Sequence, residues 1–429
     1  MPLFNIYLFL LALYIITCLW IIIKFYKREK GVFQAPFIFS LASMLMMVPQ
    51  FCVIIYNPHY NSNLLPDLTY CMITSTLALA WGWDRAQRKK VTRFWDVDLQ
   101  KSKVLFFVLF IIGLICALKS YGEVLNHFAS REGDIRENHT YQVLLFFMLY
   151  FDIGMFYALT YVIKRKKAPL LIKIIIILSC FYYLFIILML ARRTLVVKLF
   201  MSLGLLTVSI RPQWQNMIKK IVVIFFVIGT IYSASIGEIR GDLHGTNNES
   251  INILENYKKS YVNPDLTHGM DLGNAALFIR YTKENLTYNF GTFLWDDIVT
   301  WYFPSFIFGK EGKEALKLAG GNDKYIESIT HNVTTPTGYY QAFSAFSYWG
   351  FIMFYAIGYL FGYVWRRIPY SSLYLIVYLC FMFHIPSLAS HGFGFVLGQI
   401  ETFLIFGVPV LYHYISKKKI ICKLPKLAY

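Results

Sequence analysis

The segment Ala191-Arg192-Arg193-Thr194 joins two apolar runs, residues 170–190 and 195–210, with almost no polar spacer. Guanidinium groups carry planar, permanently charged donors that grip phosphate oxygens two at a time. An arginine at the centre of a bilayer costs roughly 2.5–3.5 kcal/mol, so arginines set this deep usually face a polar cavity or a bound anion. Lys198 follows, but at 100° per residue it points well away from both arginines and suits another surface. In Gly237-Glu238-Ile239-Arg240-Gly241-Asp242 a third arginine closes another apolar run, with a carboxylate two residues away on either side. His331 sits just before a later run, and an imidazole there can act as a base or as a phosphate donor. Each has an ordinary alternative. Arg192 and Arg193 could anchor two helices, Arg240 could close a neutralised helix end, and His331 could be a solvated loop side chain. Only the topology of the chain separates these readings.

That topology is written in the apolar runs. The chain has 429 residues, of which 57% are hydrophobic and 15% charged, a composition of polytopic membrane proteins. Eleven runs approach the length of about 20 residues that a span needs: 3–23, 32–56, 64–83, 102–119, 141–163, 170–191, 194–210, 217–236, 338–364, 370–387 and 392–415. Lipid leaves backbone groups of such spans no partners but their own, so the expected fold is all-α. Lys and Arg cluster after the first, third, fifth, seventh, ninth and eleventh runs, whereas loops 57–66 and 388–391 have none. Cytoplasmic loops hold such residues, which sets the N-terminus outside and the C-terminus inside. The formal charge of +17 is explained by these loops and does not call for nucleic acid. On this topology Arg192 and Arg193 emerge on the outer face, as the short loop that breaks the rule.

Three regions follow: residues 1–236 with helices 1–8, an outer loop over 237–337, and residues 338–429 with helices 9–11 and a basic cytoplasmic tail. The first run lacks a positive leader and a cleavage site, and reads as a permanent helix. The outer loop is too long for a bare connection, and 252–261 and 272–283 suit short amphipathic helices. Residues 290–309, rich in aromatics but broken by Asp296, Asp297 and Pro304, suit an interfacial or re-entrant helix.

Further candidates are fewer. Asp296 and Asp297 diverge by about 100° on a helix and make a poor metal pair. The seven cysteines have no metal-site spacing and suggest no disulfide framework. His384 and His391 fall near the outer ends of the last two runs, and Glu401 lies inside the last. Glycosylation sequons begin at Asn138, Asn248, Asn285 and Asn332. No glycine-rich phosphate loop, HExxH or GxSxG is present. Tyr339 and Tyr340 could stack on sugar faces or belong to an interfacial belt.

The number of helices, the late outer loop, the outward arginines of ARRT and GEIRGD, and His331-Asn332 followed by Tyr339-Tyr340-Gln341-Ala342-Phe343, Trp349-Gly350 and Gly358 together resemble the oligosaccharide repeat-unit polymerases of bacterial surface glycans, the O-antigen polymerase (Wzy-like) family. In many relatives a glycine follows the hairpin arginine, whereas Thr194 follows Arg193 here. The resemblance implies a GT-C-like helical fold in the bacterial inner membrane, with its active site facing the periplasm. It implies an enzyme that joins undecaprenyl-pyrophosphate-linked repeat units into O antigen with no cofactor and no metal. Membrane lipids and a chain-length regulator protein are the further partners it implies. On that resemblance Arg192, Arg193 and Arg240 bind the pyrophosphate, His331 or Glu238 activates the acceptor hydroxyl, and Tyr339 and Tyr340 bind sugar. An O-antigen ligase shares the donor and the cationic site. A flippase would show two similar halves and lack the long outer loop. A polyprenyl-phosphate-sugar transferase would carry acids in a long first outer loop, where this chain has Asp67 alone.

Overall fold

The computed structural model describes residues 2–56, 65–130, 139–190, 193–233, 271–303, 305–318, 337–390, 392–402, 404 and 412–419. Eight helices come first: α1 (Pro2–Tyr26), α2 (Ala35–Tyr56), α3 (Leu65–Gln87), α4 (Lys103–Ser130), α5 (His139–Arg165), α6 (Leu170–Leu190), α7 (Arg193–Ile210) and α8 (Gln215–Ser233). The outer loop contributes α9 (Asp271–Asn285), α10 (Thr292–Tyr302) and α11 (Ser305–Ala315), and the last region α12 (Gly338–Phe346), α13 (Phe351–Trp365), α14 (Ser372–Phe381), α15 (Ser387–Ser390) and α16 (Gly392–Thr402).

Four helical stretches are long and apolar enough to cross a membrane: Ile6–Tyr26, Ala35–Ile55, Lys103–Gly122 and Phe147–Arg165. Their outward faces stay apolar. On α4, Val104, Val108, Ile112, Ile115 and Leu118 are all exposed at helical spacing, a stripe that only lipid solvates well. Leu170–Ile186, Lys198–Ile210 and Ser372–His384 are shorter apolar helices. The chain is therefore a mostly helical, membrane-embedded protein.

Three features depart from the sequence expectation. The run 338–364 is not one rod: α12 and α13 meet at 112°. Ser347 turns the chain with φ 52 and ψ −137, and Gly350 packs so close to Ala342 that a Cβ would sit 2.3 Å from its carbonyl oxygen. In the final run α16 ends at Thr402, Tyr412–Tyr414 form a 3-10 turn, and Ile415–Lys419 form strand β2, antiparallel to β1 (Arg93–Val97). The fold is thus helical, as an all-α membrane protein requires, with one small two-stranded ribbon added. Residues 290–309 form α10 and α11, with Gly309 at φ 73 interrupting the second. Residues 252–261 lie outside the described part, whereas α9 covers 272–283, burying Leu272, Ala276 and Ile279 and exposing Arg280.

The tightest pairing is α3 against α13. Gly82 on one helix and Gly358 on the other allow it, since a Cβ on either would lie 2.1 Å from a backbone oxygen of its partner helix. Small residues are the usual means of close helix contact in lipid, where apolar burial gives no drive for association.

The direction of each helix follows from the cations. Lys24 and Arg28 bind Asp84 at 2.6 and 2.9 Å, joining the ends of α1 and α3. Lys219, at the start of α8, donates to the carbonyls of Tyr26 and Arg28 at 2.8 and 2.9 Å. Arg366 donates to the Ala86 carbonyl at 2.8 Å, Lys164 to those of Ile368 and Pro369, and Lys166 to that of Ser209. Helices leave their last carbonyls unpaired, and here lysine and arginine supply the missing donors. One end of the bundle therefore holds the ends of α1, α3, α5, α7 and α13 with the starts of α8 and α14. We call it the basic end.

The opposite end is built differently. There α9 rests on α2, α3 and α12, with the Leu272 amide donating to Gln50 Oε1 at 2.9 Å and Lys283 paired to Asp67 at 2.8 Å.

Candidate functional site

Because the last turn of α7 receives Lys166 at the basic end, Arg193 at its first residue lies at the opposite end. Its side chain, and Arg192, Glu238, Arg240 and His331 altogether, lie outside the described residues.

Five residues into α7, about 7.5 Å along the axis, the structure describes a polar group in full. Lys198 Nζ forms an ion pair with Asp152 Oδ2 of α5, and Tyr183 of α6 donates its hydroxyl to Asp152 Oδ1. Side-chain exposure is 9% for Lys198 and 20% for Asp152, and Tyr183 is buried. Phe156, one turn beyond Asp152, places its ring centroid 5.5 Å from Lys198 Nζ, so the ammonium lies between a carboxylate and an aromatic face. His384, in the 3-10 turn that follows α14, lies within electrostatic reach of both charges, and Cys380 one turn earlier is close behind. Three helices, α5, α6 and α7, and the turn after α14 are joined here.

Such a group is a poor source of stability. Removing two charges from water costs several kcal/mol per ion, and well-packed apolar residues would serve a bundle as well or better. Charges inside a membrane usually mark a site of function. Sequence reasoning passed over Asp152 and Tyr183, although the signal was present. Asp152 is the lone acid of run 141–163 and Lys198 the lone base of run 194–210. Opposite lone charges on neighbouring spans predict a pair.

The tyrosines lie elsewhere. Tyr339 is a core residue: it is fully buried, its hydroxyl bonds Ser43 at 2.5 Å, and its ring stacks on Phe354 at 5.6 Å. That arrangement leaves no ring face open to a sugar. Tyr340, half-buried, packs on Phe278 of α9 at 4.7 Å. Asp296 Oδ1 accepts the Leu318 amide at 2.7 Å and so serves the local fold of the loop helices. His391 lies outside the described residues, as do the side chains of Asp297 and Glu401. Among the described residues, no three His, Cys, Asp or Glu side chains are grouped to hold a metal ion.

Outside the membrane, Lys283 of α9 is held above the ordinary lysine pKa by hydrogen bonds to Asp67 and Tyr348. It is the cation that fastens the outer loop to α3.

No family model, curated protein or solved structure matches this chain.

Proposed function

We propose that the chain is a membrane-embedded glycosyltransferase of eleven spans that polymerises undecaprenyl-pyrophosphate-linked oligosaccharides into a surface polysaccharide. Its N-terminus is outside, its C-terminus inside, and its active site lies at the outer face of the bacterial inner membrane. One observation carries this reading. The described basic loops gather at one end of the bundle, and Arg193 opens α7 at the other. Cations set against the charge bias of a membrane protein need a topological reason, and an anionic lipid-linked donor at that face supplies one.

In the reaction an acceptor sugar hydroxyl attacks the anomeric carbon of the donor glycan. The bond from that carbon to the pyrophosphate oxygen breaks, undecaprenyl pyrophosphate departs, and the hydroxyl proton passes to His331 or Glu238. Arg192, Arg193 and Arg240 stabilise the leaving charge. Arg193→Ala in the native host, with surface glycan resolved on a gel, tests the reading. The long ladder should collapse to single capped repeats. An unchanged ladder overturns the role of this arginine, and loss of even the single repeat points to a ligase or flippase. The Asp152–Lys198 pair beside His384 favours a second reading, a proton-coupled lipid-oligosaccharide transporter. Elongation of lipid-linked repeats by purified protein would separate the two.

A further inference from the structure

The cations of the basic end fall into two populations. Lys24, Arg28, Lys164, Lys166, Lys219 and Arg366 are consumed by Asp84 or by helix-end carbonyls. Arg85, Arg88, Lys90 and Arg93 are exposed, and among the described residues none of them meets a carboxylate. The acids nearby are already engaged. Asp84 holds Lys24 and Arg28, Asp96 holds Lys418 and the Ser372 amide, and Asp98 accepts the amides of Gln100 and Lys101.

Position says what these free cations face. The one exposed stripe of α3 runs Tyr70, Leu77, Trp81, Arg85, with Arg88 following just past the end of the helix. Over its last part, Leu77, Trp81 and Arg85, the side chains pass from aliphatic to aromatic to cationic in four-residue steps of about 6 Å. Trp81 is 63% exposed and meets Tyr355 of α13 edge-on at 5.0 Å, while Lys89 caps the ring of Tyr359 at 5.2 Å. Tryptophan and tyrosine settle at the hydrocarbon boundary, and arginine and lysine stems extend from there to the headgroups. Arg93 continues the series on the edge of the β1–β2 ribbon, beside exposed Trp95.

We propose that Arg85, Arg88 and Arg93, with Lys89, form a binding site for the phosphate groups of anionic lipid headgroups in the leaflet at the basic end. A soluble polyanion fits less well, because Arg85 and Arg88 continue the exposed apolar face of Leu77 and Trp81. Paired guanidinium donors suit a phosphodiester. The β1–β2 ribbon and the α3–α13 pair fix the backbone that carries them. The site is independent of the chemistry at the other end.

The test uses full-length protein in nanodiscs of phosphatidylcholine containing a minor share of phosphatidylglycerol, with lipids retained by the extracted protein counted by native mass spectrometry. The wild type should retain phosphatidylglycerol well above its bulk share. Arg85→Gln/Arg88→Gln/Arg93→Gln should lower that enrichment by roughly five-fold or more, since one surface cation near an anionic leaflet is worth about that factor. The corresponding triple lysine variant should stay within about two-fold of the wild type, because it keeps the charge. Salt near 1 M, where the screening length is about 3 Å, should erase most of the wild-type enrichment, and this arm does not depend on any variant folding. Wild-type retention at the bulk share overturns the proposal. So does unchanged enrichment in the glutamine variant.

Discussion

Two groups in this molecule share one chemistry and differ in surroundings. Inside the bundle, Asp152 takes Lys198 on one carboxylate oxygen and Tyr183 on the other. Beyond it, where α9 meets α3, Asp67 takes Lys283 on one oxygen at 2.8 Å and Tyr348 on the other at 2.7 Å. The inner acid and base are 20% and 9% exposed, the outer ones 29% and 51%. Water can replace either partner in the outer group. It cannot do so readily in the inner one, where losing a partner strands a charge. The same three residue types therefore act as a fastening in one place and as a committed charged element in the other.

The largest expected effect is on Asp152→Asn. It leaves Lys198 buried without its counter-charge and should cost about 3–5 kcal/mol of stability. Asp67→Asn should cost less than about 1 kcal/mol, as exposed pairs do. Denaturant unfolding of both variants in one detergent measures the gap. Equal losses would break the comparison and mean that Lys198 reaches water or headgroups after all. Next comes the double variant Asp152→Leu/Lys198→Met, which should recover most of the lost stability because no charge remains buried. If that refolded variant lacks the polymerisation proposed above, the inner pair is kept for function. Restored polymerisation would reduce it to a strut.

A smaller contrast is expected from the phenols. Tyr183→Phe removes a hydrogen bond to a buried carboxylate and should cost about 1.5–3 kcal/mol, whereas Tyr348→Phe, with water at hand, should cost about 1 kcal/mol or less. Matching thermal shifts would show that the inner carboxylate is solvated. The smallest effect concerns pH. Lys283 is raised above its ordinary value, first by Asp67 and then by Tyr348. A raised base contributes stability fully below its unfolded pKa, near 10.4, and loses it only as pH climbs through the folded value. The outer latch should thus persist unchanged across neutral pH and loosen only above about pH 10. Hydrogen exchange of α9 against pH reports it, and loosening near pH 7 would contradict the bond to Asp67.

The helical, membrane-embedded plan was legible because hydropathy and charge are local properties. A run such as 103–122 needs no knowledge of its neighbours to read as a span, and Lys24, Arg85 and Lys164 mark one end by their periodic return. Lys198 was also seen to face away from the arginines, but not what it faced.

What stayed hidden depended on distant residues. Nothing near Ser347 announces a bend of 112°, since the apolar run continues unbroken; the bend depends on the close approach of Gly350 to Ala342. The strand at Ile415–Lys419 reads as a basic tail until Arg93–Val97 lies beside it and Asp96 receives Lys418. Tyr339 reads as an interfacial aromatic until Ser43 and Phe354 enclose it. The sequence alone determined which segments prefer lipid and which end carries the positive charge, because transfer free energies belong to each side chain. Only the tertiary structure decided that Tyr183 and Phe156 would enclose the Asp152–Lys198 pair while Arg85 meets no acid among the described residues, because such contacts require helices far apart in the chain to present their side chains at one depth.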